Sequence, residues 1–288
     1  MLSFVLIFVF SLPACLEAKF SWPNLLPWKH GSAAITDAMK TYEKGDFNYP
    51  DIGLLCTSTG NTNSSSPVIP AKYQLKSRRI TIGFGERVFD KATELLFRLK
   101  IADDIDWIDL IGPKDGSITT DTTIATLARF HKTFMWSLNP CRVVSAIRNG
   151  AFPSTTSVDV DNGIHEFTGT AAVTDADTDT DRYSEVVYST LEGHLIAGEE
   201  SFRILLLKPS ASLSDVDAGG GAAPLRIGIH GSDSDSDSST GRAVIFEVRS
   251  YSRGCGLLGS IAMPFVRPLQ DKFLRDHCNA MYTLVNSS

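Results

Sequence analysis

The sequence lacks three kinds of motif that would assign it to a common functional class. No basic patch with interleaved aromatic residues occurs, so we expect no nucleic-acid partner. No CxxC pair and no histidine at metal-ligand spacing occurs, so we expect neither a metal site nor a cofactor. No serine or cysteine lies in a nucleophile elbow, and residues 83–88, GFGERV, lack the third glycine of a dinucleotide-binding loop.

Cysteine is also scarce, with five residues in a chain of 288. Cys15 lies in the apolar N-terminal segment, and the others are Cys56, Cys141, Cys255 and Cys278. A chain of this length can build a hydrophobic core without covalent cross-links. We therefore predict buried free thiols, and disulfide bonds are the alternative if the chain is secreted.

The longest apolar run covers residues 1–16 and is too short to span a bilayer comfortably. It is typical of a signal peptide, residues 1–18, that is cleaved after Ala18, and an attached hydrophobic anchor is the alternative. Residues 19–42 are predicted to be a linker or a transit-like segment. We therefore predict targeting to the secretory pathway, ending in a complex algal plastid, the endoplasmic reticulum or the extracellular space. No stable membrane span would remain after cleavage.

The net charge of −6 is concentrated in two acidic stretches. Residues 171–181 contain four aspartates, and residues 209–241 contain five aspartates and one arginine. Low-complexity stretches of this kind cannot bury enough apolar surface to order themselves. We predict that both are disordered acidic loops inserted into one domain, residues 43–286. The first stretch lacks the glycine and the glutamate of a calcium-binding loop.

Hydrophobic periodicity predicts an α+β fold. Strand patterns occur in residues 71–85 and 118–147, at Val186 and Tyr188 with an end near Leu191, and in residues 201–208 and 242–251. Apolar positions three or four residues apart predict a helix in residues 88–99 and a long C-terminal helix that starts near Pro264 and Pro268. This order of elements predicts a curved antiparallel sheet wrapped around the C-terminal helix, an arrangement that often leaves a cavity.

Two local features are predicted as well. Residues 103–110 form a second short helix in this interpretation, and they carry Trp107. The Asn139-Pro140 pair is expected to interrupt the strand region between residues 118 and 147, because proline cannot donate a backbone hydrogen bond.

The stretch Tyr188–Leu207, YSTLEGHLIAGEESFRILLL, holds the candidate catalytic residues. Histidine titrates near neutral pH, and a nearby carboxylate would fix its tautomer and raise its pKa. Because Glu199 and Glu200 point to opposite sides of a strand, only one of them can pair with His194. We take His194 and Glu199 as the pair. The alternative is a structural turn, in which the glutamate accepts loop N–H groups or pairs with an arginine.

Six segments occur in the order found in a known family: FNYPDIG, ITIGFGERVFDKA, WSLNPCRVV, YSTLEGHLIAGEESF, SYSRG and PFVRPLQDKF. Together, over residues 47–285, they resemble the domain-of-unknown-function family nineteen-ninety of plants and bacteria. The resemblance implies a helix-grip, START-like fold that holds apolar ligands between a sheet and a helix, and it implies no established activity. Gly254 stands where the family tends to have proline, which leaves the role of Arg253 open.

The leading hypothesis is a domain that binds or carries a small lipophilic ligand in a cavity between sheet and helix. Phe273 and Met281 of the last helix would form part of the wall. The polar side chains expected to orient the ligand are Arg142, His194, Glu199, Glu200 and Arg253. One alternative is a hydrolase or isomerase that uses the histidine–glutamate pair at the cavity mouth. Another is a protein-interaction module that works through the acidic loops.

Overall fold

The computed structural model describes residues 25–26, 32–56, 70, 72–113, 117–129, 136–151, 180–194, 196–209 and 241–287. Its strands are β1 (Leu25–Leu26), β2 (Gln74–Phe84), β3 (Ile108–Ile111), β4 (Thr123–Arg129), β5 (Trp136–Ala151), β6 (Thr180–Thr190), β7 (Ile196–Leu207) and β8 (Ala243–Gly254). Its helices are α1 (Ser32–Tyr42), α2 (Glu86–Phe97), a 3₁₀ helix (Lys100–Asp104) and α3 (Gly256–Asn286).

The strands form one sheet in the order β2-β8-β7-β6-β5-β4-β3, and every described ladder is antiparallel. The short strand β1 pairs with β5 outside this order. Because successive side chains of a strand point to opposite sides, the sheet has two distinct faces. The inner face carries Phe202 and Phe246 and packs against α3, and the outer face carries Leu205 and Tyr251.

The main hydrophobic core lies between the inner face and the helices α2 and α3. Phe89 and Leu96 project into it from the amphipathic helix α2, and Phe273 and Met281 project into it from α3. The helix α3 packs along β2 and β8. The predicted α+β architecture, a curved antiparallel sheet with a long C-terminal helix in a helix-grip arrangement, is thus confirmed.

Two segments cover the outer face. Ile35 and Met39 of α1 pack on the outer residues of β4 and β5, which include Leu127. Residues 46–56, which we call the strap, place Tyr49 and Leu55 against the outer face of β7 and β8. Part of the segment predicted to be a linker is therefore a packed helix, because the outer face of β4 and β5 is apolar enough to bind it.

Three local predictions were wrong. Residues 103–110 contain the end of the 3₁₀ helix and the edge strand β3 instead of a second helix, because pairing with β4 overrides local propensity. Strand β5 continues through Pro140, and beside it the Asn139 side chain donates to the carbonyl oxygen of Thr126 at 3.2 Å. The helix α3 begins at Gly256, so Pro264 and Pro268 lie inside it.

Several sequence predictions fall outside the described residues. They include the signal peptide at residues 1–18 and most of both acidic inserts. The described chain resumes at Thr180 and at Gly241, where β6 and the turn before β8 begin. Within the described ranges, none of the helices combines the length and the apolar character needed to cross a membrane. Cys56, Cys141, Cys255 and Cys278 are free thiols, as predicted, although only Cys141 and Cys278 are buried.

Candidate functional site

His194 lies in the turn between β6 and β7, where Gly193 adopts a φ of 94° that favours glycine. Its Nδ1 accepts a hydrogen bond from the backbone N–H of Ile196 at 3.1 Å. Burial lowers the pKa of His194 to about 3, so the imidazole is neutral at physiological pH. One of its two ring nitrogens is therefore engaged by its own turn.

Glu199 faces the outer side of the sheet and is almost fully buried under the strap. Its carboxylate accepts hydrogen bonds from the Tyr49 hydroxyl at 2.9 Å, the Leu55 N–H at 2.9 Å and the Ser189 hydroxyl at 3.0 Å, and also from the N–H of Gly53. Burial raises the pKa of Glu199, and these donors work against that increase. Glu199 thus ties the strap to the sheet.

The structure does not join His194 and Glu199 by a hydrogen bond among the residues that it describes. The observed contacts match the structural alternative, in which the glutamate accepts backbone N–H groups. These N–H groups come from the strap, more than 140 residues earlier in the chain, and not from the turn itself.

Gly198 has a different role from Gly193. It lies within β7, and a Cβ atom at this position would be 1.9 Å from the carbonyl oxygen of Tyr251 in β8. Any other residue would push the two strands apart, because backbone atoms cannot move aside as a flexible side chain can. The glycine–glutamate run therefore reflects close strand packing and not a long catalytic loop.

Arg142 and Arg253 both project from the outer face. Arg142 donates to the carbonyl oxygens of Glu43 at 3.1 Å and Gly45 at 2.9 Å, and so it holds the chain that leaves α1. Arg253 donates to the carbonyl oxygen of Gly254 and lies 5.3 Å from the ring centre of Tyr73. Their described contacts stabilise the covering of the outer face, on the side of the sheet opposite to α3.

The inner face carries a second polar group, formed by Glu200, Tyr188 and Thr126. Tyr188 lies directly opposite Glu200 in the β6–β7 ladder, and its hydroxyl donates to Oε2 of Glu200 at 2.5 Å. The Thr126 hydroxyl interacts in turn with the Tyr188 phenol. Burial raises the pKa of Glu200 to about 7, against the influence of the Tyr188 hydrogen bond.

Glu200 combines two properties that are typical of a partly enclosed polar group. It keeps solvent-accessible surface, yet its surroundings are apolar enough to desolvate the carboxylate strongly. Leu110, Thr126 and Ala128, on the inner side of β3 and β4, are also half-buried. We call the surface formed by Leu110, Thr126, Ala128, Tyr188 and Glu200 the inner recess. Its polar atoms are few and are grouped at one place.

The helix α3 supplies further groups on this side of the sheet. Phe273 packs edge-on against Phe202 with ring centres 6.1 Å apart, and the His277 ring is 5.2 Å from the same phenylalanine. Phe273 and Met281 lie in the hydrophobic core between helix and sheet, and their place in a ligand-binding wall stays a prediction. His277 is a polar residue of this helix face that the sequence analysis did not single out.

The described residues contain no group of three histidine, cysteine, aspartate or glutamate side chains that could hold a metal ion. The polar groups that the inner recess offers are the Glu200 carboxyl, the Tyr188 phenol and the Thr126 hydroxyl.

We expect Tyr188→Phe to raise the pKa of Glu200 above about 7. The phenol donates to the carboxylate and so stabilises its charged form, which means that its loss favours the protonated form. A carboxyl ¹³C NMR titration of labelled protein measures the pKa. Tyr282→Phe, at an exposed position of α3, is the control and should leave the titration unchanged. An unchanged Glu200 pKa in Tyr188→Phe would contradict the assigned hydrogen bond.

The family model described as Domain of unknown function (DUF1990) matches residues 57–218, more than half of the 288-residue chain. The chain belongs to this family. The predicted family is therefore confirmed, although the matched part of the DUF1990 chain is shorter than the predicted residues 47–285. It includes Thr126, Tyr188 and Glu200, whereas α3 lies beyond it.

Solved structures similar to this DUF1990 chain include truncated norcoclaurine synthase from Thalictrum flavum, with 9% identity and a TM-score of 0.36 over 75% of this chain and 95% of that one. The Zhui aromatase/cyclase from Streptomyces sp. R1128 has 10% identity and a TM-score of 0.37 over 74% and 93%. Ara h 8.0201 has 12% identity and a TM-score of 0.36 over 75% and 99%. No curated protein matches the chain. Such low identities and TM-scores assign no activity to it.

Proposed function

We propose that this DUF1990 protein binds or carries a small lipophilic molecule in the inner recess, with Glu200 and Tyr188 orienting a polar group of that molecule. The observation that carries the proposal is the accessible but strongly desolvated carboxyl of Glu200 on an apolar face. Ligand sites in proteins are typically apolar surfaces with a few convergent polar groups of this kind.

The surroundings of Glu200 support binding more than a structural role. Glu199, the neighbouring glutamate, has its carboxylate covered by four donors from the protein, as a structural acceptor should. Glu200 accepts a hydrogen bond from the Tyr188 hydroxyl, and it keeps accessible surface. A desolvated carboxyl with spare hydrogen-bonding capacity is suited to a ligand group.

Lipid extraction of the purified protein followed by mass spectrometry tests the proposal. We expect a defined small molecule at near-stoichiometric amount in the wild-type protein and about a tenfold smaller amount in Glu200→Gln, because this variant changes the polar anchor of the recess. Glu192→Gln, at an exposed position of the adjacent turn, is the matched control and should retain the molecule. Equal retention by both variants would show that Glu200 does not anchor the ligand.

A second candidate function is acid–base catalysis on the same ligand. The favouring observation is the pKa of Glu200, which burial raises to about 7, where a carboxyl can accept and donate protons at physiological pH. In this candidate, Glu200 on the inner face takes the acid–base role that the hydrolase or isomerase hypothesis gave to His194 and Glu199. Turnover of the extracted molecule by the wild-type protein and its absence in Glu200→Gln would support an enzyme, and unchanged recovery of the molecule would support a carrier.

A further inference from the structure

His277 presents an unused hydrogen-bond acceptor between α3 and the sheet. Its Nδ1 is 2.9 Å from the carbonyl oxygen of Phe273, which can only accept, so Nδ1 carries the ring hydrogen. Burial lowers the pKa of His277 to about 4, and the ring is therefore neutral at pH 7. Its Nε2 thus bears a lone pair, is buried and has no hydrogen-bond partner among the described residues.

Ser250 presents a second unused group on the facing strand. Gln270 of α3 donates to the Ser252 hydroxyl at 2.6 Å, and two helical turns later Cys278 lies beside the backbone carbonyl of Arg78. Arg78 pairs with Val248, so residues 270–278 of α3 lie over residues 252–248 of β8. Ser250 falls in the middle of this stretch, as do the turns that carry Phe273 and His277.

The Ser250 hydroxyl is buried and has no hydrogen-bond partner within the described part of the chain. Ser250 also lies directly opposite Glu200 in the β7–β8 ladder. Side chains opposite one another in a sheet have Cβ atoms about 5 Å apart. Ser250 therefore borders the inner recess at Glu200, and on the same side of the sheet Phe202 packs against Phe273 of α3.

A buried polar atom without a partner is unfavourable and uncommon in folded proteins. Two such atoms, Nε2 of His277 and the hydroxyl oxygen of Ser250, lie between α3 and the sheet. Nε2 can only accept, so it requires a hydrogen-bond donor. We propose that the ligand of the inner recess is a neutral lipophilic molecule with a hydroxyl group, and that Nε2 of His277 accepts the hydrogen of this hydroxyl. The Ser250 hydroxyl then donates to the oxygen of the same group. This inference rests on the proposed function of the recess.

The same geometry disfavours a fatty-acid-like carboxylate. A carboxylate has no hydrogen to give to Nε2, and the Glu200 carboxyl nearby would repel it at neutral pH. On the inner side of β2, Lys76 is already paired with Asp271 at 2.6 Å. Arg78 lies on the same side of β2, and its Nε is buried without a hydrogen-bond partner in the described ranges. Its positive charge could therefore favour an anionic ligand. A carboxylate probe therefore belongs in the test.

Binding of three probes with one ring system tests the hydroxyl preference. The probes are 2-naphthol, 2-methylnaphthalene and 2-naphthoate, and the full chain is titrated with each at pH 7 while probe fluorescence is recorded. We expect wild-type protein to bind 2-naphthol at least about tenfold more tightly than 2-methylnaphthalene, since the latter leaves Nε2 unpaired. This ratio should fall to about one in His277→Phe. It should remain in His194→Phe, because His194 lies in the turn between β6 and β7.

The variant His277→Gln tests the acceptor role separately, in case His277→Phe does not fold. Its amide oxygen restores an acceptor and should recover part of the hydroxyl preference. A preference that is absent in the wild type, or that persists in a folded His277→Phe, overturns the role of His277. Tighter binding of 2-naphthoate than of 2-naphthol overturns the neutral ligand class. If 2-naphthol and 2-methylnaphthalene bind equally well, only this inference fails. If no probe binds, the proposed function of the recess fails with it.

Discussion

Glu247→Gln should lower the free energy of unfolding by about 3–5 kcal/mol, the cost typical of breaking a buried ion pair on one side. Glu247 lies on the outer face, almost completely buried, and its carboxylate contacts three arginines. Arg79 donates at 2.5 Å and Arg203 at 2.6 Å, and Arg249 forms an ion pair with an N–O distance of 2.9 Å. A neutral amide would remove one negative charge from this group of buried positive charges.

The pKa of Glu247 shows whether burial or the arginine charges dominate at this carboxyl. Burial alone would raise that pKa, but Arg203 above all, with Arg249 and Arg79, holds it well below its ordinary value. A carboxyl whose pKa is lower in the folded chain stabilises the fold above its unfolded pKa, near 4.5, and loses this contribution as pH falls further. The difference between wild type and Glu247→Gln should therefore be full at pH 7 and should shrink below about pH 4.

Urea unfolding at pH 7 and at pH 3.5 measures the effect of Glu247→Gln without adding salt that would screen the charges. Glu94→Gln is the matched control, because Glu94 also contacts two arginines, Arg98 and Arg148, but at the surface. It should cost less than about 1 kcal/mol, as exposed pairs do. Equal losses in the two variants would mean that the buried network contributes no more than a surface pair.

The fold was predictable because the decisive residues repeat with clear periods. Val88, Ala92 and Leu96 fall on one side of a helix, and alternation in β2 indicated a strand. The apolar residues of β7 occupy both parities, as Ile204 and Leu205 do, which is typical of a strand covered on both faces, and both are buried. Pairing at the sheet edge is a long-range effect, which is why the helix predicted for residues 103–110 was wrong.

The candidate site was only partly predictable, because alternation assigns a residue to a face without saying what covers that face. Glu199 and Glu200 were expected to point in opposite directions, and their contacts lie on opposite sides of the sheet. The sequence around Glu199 does not show that donors from the strap, far earlier in the chain, bind its carboxylate. It also does not show that the Glu200 carboxylate accepts from Tyr188 in the neighbouring strand. The relevant signal was available only in the ladder register, which brings Tyr188 opposite Glu200.

Glu200→Gln should stabilise the protein above pH 7, by roughly 3 kcal/mol at pH 8, in contrast to the large loss in Glu247→Gln. The ordinary pKa of a glutamate carboxyl is 4.5, and burial raises the pKa of Glu200 to about 7 in the fold. A carboxyl whose pKa is raised in the folded state lowers the free energy of unfolding as pH rises from 4.5 to about 7, because ionising it costs more in the folded than in the unfolded state. Glutamine has the same shape, cannot ionise and avoids this cost.

Thermal and urea unfolding between pH 4 and pH 8 measure this difference. The two proteins should be nearly equal at pH 4, where the carboxyl is largely protonated in both states, and should diverge as pH rises to 7. Glu192→Gln in the exposed turn should follow the wild type within about 0.5 kcal/mol at every pH. A Glu200→Gln variant that is less stable than the wild type at pH 8 would mean that the carboxylate is well solvated. A variant that gains stability and loses the extracted molecule would show that Glu200 is kept for binding at the expense of stability, as functional residues often are.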